Sequence, residues 1–149
     1  MLKYCLDKWN QNKDMLKAEL ETNSELNTCS YTDLVKLVVD YVLNPGEGEK
    51  WDSDNITEVD NGDYQGTLLF LIPATTYQPF EFEYLMTYVR YGSCSGCDTL
   101  QAIKGWEDGP LTASQVNDFM KLCKDLVTNM VKPYNGGWRF TDGFEEVTM

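Results

Sequence analysis

The chain contains no histidine, which removes the imidazole base, the Ser-His and Cys-His nucleophile pairs and every histidine-ligated metal. Bases are scarce as well: 12 Lys and Arg stand against 24 Asp and Glu, a formal net charge of −12. No apolar run approaches the roughly 18 residues that cross a bilayer. The opening MLKYCLDKWNQNKD alternates charged and apolar residues without the apolar core of a signal peptide. A soluble, cytoplasmic protein is therefore expected. Neither a G-x-x-x-x-G-K loop nor a G-x-G-x-x-G turn occurs, and no cofactor is expected. Chemistry left to carboxylates, Tyr and Cys ranks below binding, and whether the chain is an enzyme stays open.

What remains is 149 residues with 42% hydrophobic and 13% aromatic content, a composition that folds, and a length that suits one domain. Nine Tyr and four Trp exceed the needs of a small core, so some are expected to be half exposed, with their polar tips at water or a partner. The charge is unevenly placed. Residues 51–100 hold eight acids and one base, a net of −7 within the total of −12, and from Trp51 to Val89 there is no Lys or Arg. Such a surface repels nucleic acid and anionic membrane and attracts cationic protein.

Periodicity predicts an amphipathic helix over Leu2 to Leu20, interrupted by polar Asn12 and Lys13. A second helix starts at Ser30, whose hydroxyl can cap amides near Asp33, and ends at Asn44-Pro45-Gly46. Cys29, just before the cap, is spaced to staple onto Leu34. From Asn55 the period becomes two. NITEVD, Asn61-Gly62 and DYQGTLLFLI predict a hairpin with a type I′ turn, Pro73 stops its second strand, and a third strand runs from about Glu81 to Tyr91. Both faces of the last two strands carry large apolar groups, so each is covered or one is a binding surface. A short helix over Asp98 to Ile103 and a long one after the Thr112/Gln115 capping-box spacing complete the body. The expected fold is α+β: a three-stranded antiparallel meander with two N-terminal helices and a short plus a long C-terminal helix packed on it, and 134–149 as an extended tail.

The five cysteines include one close pair, in YGSCSGCDTLQAI. A structural zinc site wants four ligands, so Cys94 and Cys97 would need completing by Cys29 with Cys123 or across a dimer axis. Cys5 and Cys123 sit on apolar helix faces, where small buried residues are usual. A thioredoxin-like site fits the local strand-to-helix context but requires further strands after the helix. Ser93, Ser95, Gly96 and Thr99 could offer amides and hydroxyls to an anion or small ligand. The plainest reading is a sharp turn of small residues, capped by Ser95 or Asp98.

Carboxylates recur two apart, at Asp52 with Asp54, Glu58 with Asp60 and Glu81 with Glu83, and two-residue spacing on a strand puts both on one face. DSDNITEVDNGD departs from a calcium loop, with Ile56 at the fifth position and Thr57 where the glycine belongs. A solvated acidic edge that discourages strand pairing is the simpler reading.

Through VDNGDYQGTLLFLIP and YVRYGSCSGCDTLQAI, most specifically DYQGTL and YGSCSGCDTL, the chain resembles small acidic proteins of unknown function encoded by tailed bacteriophages and prophages. The likeness covers about half of the chain, implies a bacterial cytoplasm as the setting, and assigns no activity to any residue. Together with the charge, it leads to the expectation of a phage-encoded protein that binds and inhibits a basic-surfaced host protein, as an anti-defence factor or nucleic-acid mimic. The candidate surface is Asp52, Asp54, Glu58, Asp60, Asp63, Glu81 and Glu83, with Tyr64, Tyr77, Phe80 and Tyr84 as aromatic anchors. The alternatives are a small-molecule or nucleotide pocket near Tyr91 to Thr99, or the zinc site.

Overall fold

The computed structural model describes residues 3–23, 25–26, 29–46, 48, 50–60, 62, 66–75, 84–92, 98–103, 109–133 and 144–145, with 132–133 and 144–145 as backbone alone. Helix α1 is Lys3–Thr22, unbroken through the polar interruption, because Asn12 Nδ2 donates to the Val42 carbonyl at 2.8 Å and so serves as a packing contact. Helix α2, Tyr31–Val38, starts with a full capping box: Ser30 Oγ accepts from the Asp33 amide and Asp33 accepts from the Ser30 amide. Cys29 and Leu34 are both buried in the same cluster, as the staple requires. The helix continues as a wider π-helical turn, Val39–Leu43, in which the Asn44 amide reaches back five residues to Val39 O.

Asn44 ends this helix and closes the following loop. Its side chain donates to Trp51 O and accepts from Trp51 N, both at 2.9 Å, as a neighbouring strand would. Gly46 takes a φ of +82°, the left-handed region that favours glycine after a helix.

Strands β1 (Thr57–Asp60), β2 (Gly66–Pro73) and β3 (Tyr84–Tyr91) form the antiparallel meander in the order β1-β2-β3. The register corrects the predicted hairpin. Asp60 pairs with Leu68, whereas a two-residue Asn61-Gly62 turn would pair Asp60 with Asp63. The connection is longer, and Gly62 instead donates its amide to Asp60 Oδ1 at 2.9 Å. The Asx-type contact of Asp60 thus competes with the tight turn that Asn-Gly favours.

One sheet face carries Leu68, Phe70, Ile72, Leu85 and Thr87, all buried, against the helices. Thr87 Oγ1 donates to Leu126 O at 2.6 Å and ties the sheet to α4 (Ala113–Thr128), which opens with the Thr112/Gln115 capping box and packs on α1, α2 and β3. Phe119, Leu122, Cys123, Leu126 and Val127 of α4 join α1, α2 and the sheet in one apolar cluster. Burial of this kind is worth about 25 cal/mol per Å2 of apolar surface. The opposite face is not sealed by a described helix: Val59 is 42% and Tyr88 40% exposed, while Met86 is buried beside its bridge partner Val131.

Val131 lengthens the sheet beyond β3 and leads into β4 (Lys132–Pro133), which pairs with β5 (Phe144–Glu145); the expected extended tail, 134–149, thus contributes one strand to a pair. The short helix α3, Thr99–Ile103, packs on α4. No described helix is long and apolar enough to cross a membrane.

Candidate interaction edge

The acidic residues around β1 are brought together by α2. Thr32 and Lys36 of α2 and Asp40 of the π-helical turn that continues it are spaced four residues apart, and each meets the chain that enters β1. Thr32 Oγ1 donates to Glu58 Oε1 at 2.9 Å, Lys36 Nζ pairs with Asp54 Oδ1, and Asp40 Oδ1 accepts from Ser53 Oγ at 2.6 Å. The segment 53–58 therefore lies along α2 in the opposite direction, held by these three contacts. Asp52 shapes its bend, accepting from the Asp54 amide at 3.1 Å and Asn55 Nδ2 at 2.6 Å. Asp60 extends the row at its far end, accepting from Tyr91 Oη at 2.5 Å.

The result is a seam with Asp40, Asp52, Asp54, Glu58 and Asp60 along it and Lys36 as its base. Both partners of the Lys36–Asp54 pair are well exposed, so the pair adds little stability. Its electrostatic mark is on Lys36, whose pKa is raised first by the Asp54 hydrogen bond and then by the charges of Asp54, Asp40 and Asp52. Asp60 is held below the usual carboxylate range by the Tyr91 hydroxyl, then by the Gly62 amide. Solvated carboxylates that hold each other's neighbours in place make a field suited to attracting cations at long range. Among the described residues no group of three or more Cys, Asp or Glu could hold a metal ion.

Of the predicted surface, the seam contains Asp52, Asp54, Glu58 and Asp60. Tyr84 lies away from it, at the start of β3, paired with Pro73. Asp63, Tyr64, Tyr77, Phe80, Glu81 and Glu83 lie outside the described residues, as do Ser93, Cys94, Ser95, Gly96 and Cys97. Asp40 and Lys36 were not foreseen. Their four-residue spacing is visible in the sequence, but their meeting with 53–58 is a long-range event without a local signal.

The two ends of the cysteine turn are fixed by Asp98. This buried side chain accepts from Tyr31 Oη and the Gly92 amide, both at 2.8 Å, and from the Gln101 amide at 3.1 Å. It is the cap of α3, as one reading of the turn expected. Tyr31 Oη in turn accepts from the Leu100 amide at 3.1 Å, and Gln101 Nε2 donates to Gly92 O at 2.9 Å. Burial, and to a lesser degree the Asp98 carboxylate, push the Tyr31 phenol up. Thr99 is exposed at the first position of α3. A hollow of about 320 Å3 lies here, bordered by Cys29, Tyr31, Tyr91, Gly92, Asp98 and Gln101.

Cys5, Cys29 and Cys123 are buried. Burial pushes Cys5 and Cys123 up to about 12, with the Cys29 thiol adding to the effect at Cys123. Cys29 and Cys123 both belong to the apolar cluster of the core.

No family model, curated protein or solved structure matches this chain.

Proposed function

We propose that this chain is an acidic binding protein whose β1–α2 seam engages a basic surface on a partner protein. The observation that carries the reading is the alignment of Asp40, Asp52, Asp54, Glu58 and Asp60 along one seam with Lys36 between them. Charge of one sign gathered on an edge accelerates encounter with an oppositely charged surface, while nearby apolar groups slow dissociation. Exposed Val59 and Tyr88, with Tyr84 beyond them, supply the apolar contact on the adjoining sheet face. In the setting that the likeness of DYQGTL and YGSCSGCDTL implies, the partner is a bacterial cytoplasmic protein, and covering its basic, nucleic-acid-binding surface would inhibit it.

The test is affinity capture from bacterial lysate with two baits, the natural chain and a variant carrying Asp52→Asn, Asp54→Asn, Glu58→Gln and Asp60→Asn. A partner held by the seam is retained by the natural chain at low salt, is released as salt rises, and is missing from the variant. Retention by both baits at high salt would show that the seam is not the binding surface.

A second reading places a small ligand in the hollow beside Gly92 and Asp98, bordered also by Tyr31, Tyr91 and Gln101. Thermal shift against nucleotides tests it, since a ligand at a hundred times its Kd adds about 2.7 kcal/mol.

A further inference from the structure

The two edges of the sheet differ. Beyond β3, Met86 and Val131 exchange both backbone bonds, N–H to O at 2.9 and 2.8 Å, and β4 follows. Beyond β1 the described residues supply no strand.

The ladder determines which peptide groups of β1 are spare. The Pro73 carbonyl accepts from the Asp52 amide at 2.8 Å, and the Thr75 amide donates to Lys50 O at 2.9 Å, so Pro73 and Thr75 turn their peptide groups toward the β1 side. With alternation along a strand, Leu71 and Leu69 do the same, and their partners Thr57 and Val59 face them. The Met86–Val131 pair gives the same phase from the other flank, because Met86, two places from Tyr84 and Tyr88, turns outward there. The peptide groups of Glu58 and Asp60 consequently point away from the sheet. Neither meets a backbone partner among the described residues.

Side chains on this edge sort by face. Glu58 and Asp60 pair across with Phe70 and Leu68 and stand on one side, both exposed at the rim. Val59 stands on the other, at the head of an apolar row Val59–Leu69–Tyr88 across all three strands. A second copy of this chain is a poor occupant, because it would bring Glu58 and Asp60 against their own counterparts, and like charges directly opposite destabilise a pair.

We infer that β1 receives an extended segment of a basic partner as an added strand, with Lys or Arg opposite Glu58 and Asp60 and apolar side chains continuing the row from Val59. The outward amides and carbonyls of Glu58 and Asp60 supply the backbone bonds, and the alternating faces supply specificity. This rests on the acidic-seam reading and states how the partner is held.

The experiment uses the full chain and a fluorescently labelled short peptide alternating Lys with Val, measured by anisotropy at low salt. A second peptide of the same sequence and charge carries N-methyl groups on alternate amides, which removes donors to a strand edge. Strand addition predicts binding of the first and a loss of about tenfold or more on methylation, the worth of one or two backbone bonds. Glu58→Pro, which removes an outward N–H without touching the β2 ladder, should weaken binding beyond Glu58→Gln, which removes the charge alone. Equal binding of both peptides would overturn strand addition while leaving the acidic seam intact as an electrostatic surface. Failure of the unmethylated peptide to bind would overturn strand addition as well, with the seam then judged by the capture experiment.

Discussion

Replacing Asp98 by Asn should destabilise the protein far more than an exchange of such similar shape ordinarily does. The carboxylate oxygens accept from Tyr31 Oη, the Gln101 amide and the Gly92 amide, all with the side chain 5% exposed. An asparagine keeps one acceptor oxygen. Oriented to retain Tyr31 and Gln101, it points its own N–H2 at the Gly92 N–H, so one charge-assisted bond is lost and two donors confront each other. Hydrogen bonds to charged groups are worth about 1.5–3 kcal/mol, and that is the expected cost. For a chain of this length the melting temperature should fall by about 5–9 °C. Asp98→Ala strands all three donors and removes the cap of α3, for about 3–5 kcal/mol. Tyr31→Phe removes one donor to Asp98 and also the acceptor of the Leu100 amide. A double-mutant cycle between positions 31 and 98 should show coupling of about 1 kcal/mol or more, since the two groups are in direct contact. Urea unfolding gives these values, provided that the m-value is unchanged. An Asp98→Asn variant within about 0.5 kcal/mol of the natural chain would refute the reasoning, because it would mean that the clip between β3, α2 and α3 contributes no net stability.

Alkaline pH should destabilise the fold through its thiols. Cys5 and Cys123 rise from 9.0 to about 12 in the native state, so their contribution is fully present below pH 9 and is lost as pH climbs toward 12. The slope is about 1.4 kcal/mol per pH unit for each thiol, and Cys123→Ala should flatten the curve by one such share in unfolding titrations. Thr87→Val deletes the bond to Leu126 O and should cost about 1–2 kcal/mol in the same assay, with no effect on partner binding. Phe119→Ala, at a fully buried position of α4, should cost about 3–5 kcal/mol.

The fold was readable where the determinants are local. Ser30 with Asp33 and Thr112 with Gln115 announce helix starts within four residues, and period-two patterning announces β2 and β3. The features that were not readable depend on distant partners or on competition. Asn61-Gly62 carries a strong turn preference, yet the register that buries Leu68, Phe70 and Ile72 pairs Asp60 with Leu68 and lengthens the connection. Met86 lies on the partly open face yet is buried, beside a backbone bridge to Val131, 45 positions along the chain. The π-helical turn at Val39–Leu43 has no marker in its sequence. Half of the seam was visible as carboxylates two apart. Its alignment was not, because it depends on Thr32, Lys36 and Asp40 meeting Glu58, Asp54 and Ser53 across a long loop.

The central claim is that the carboxylates of the seam act together as a field for a cationic partner. Its most direct test is the association rate constant of the captured partner as a function of ionic strength, for the natural chain and for the variant neutralised at Asp52, Asp54, Glu58 and Asp60. The natural chain should associate about tenfold or more slowly on passing from low to physiological salt, where the Debye length shrinks to about 8 Å. The variant should be slow throughout and nearly flat. Equal rates with equal salt slopes for the two proteins would contradict the account.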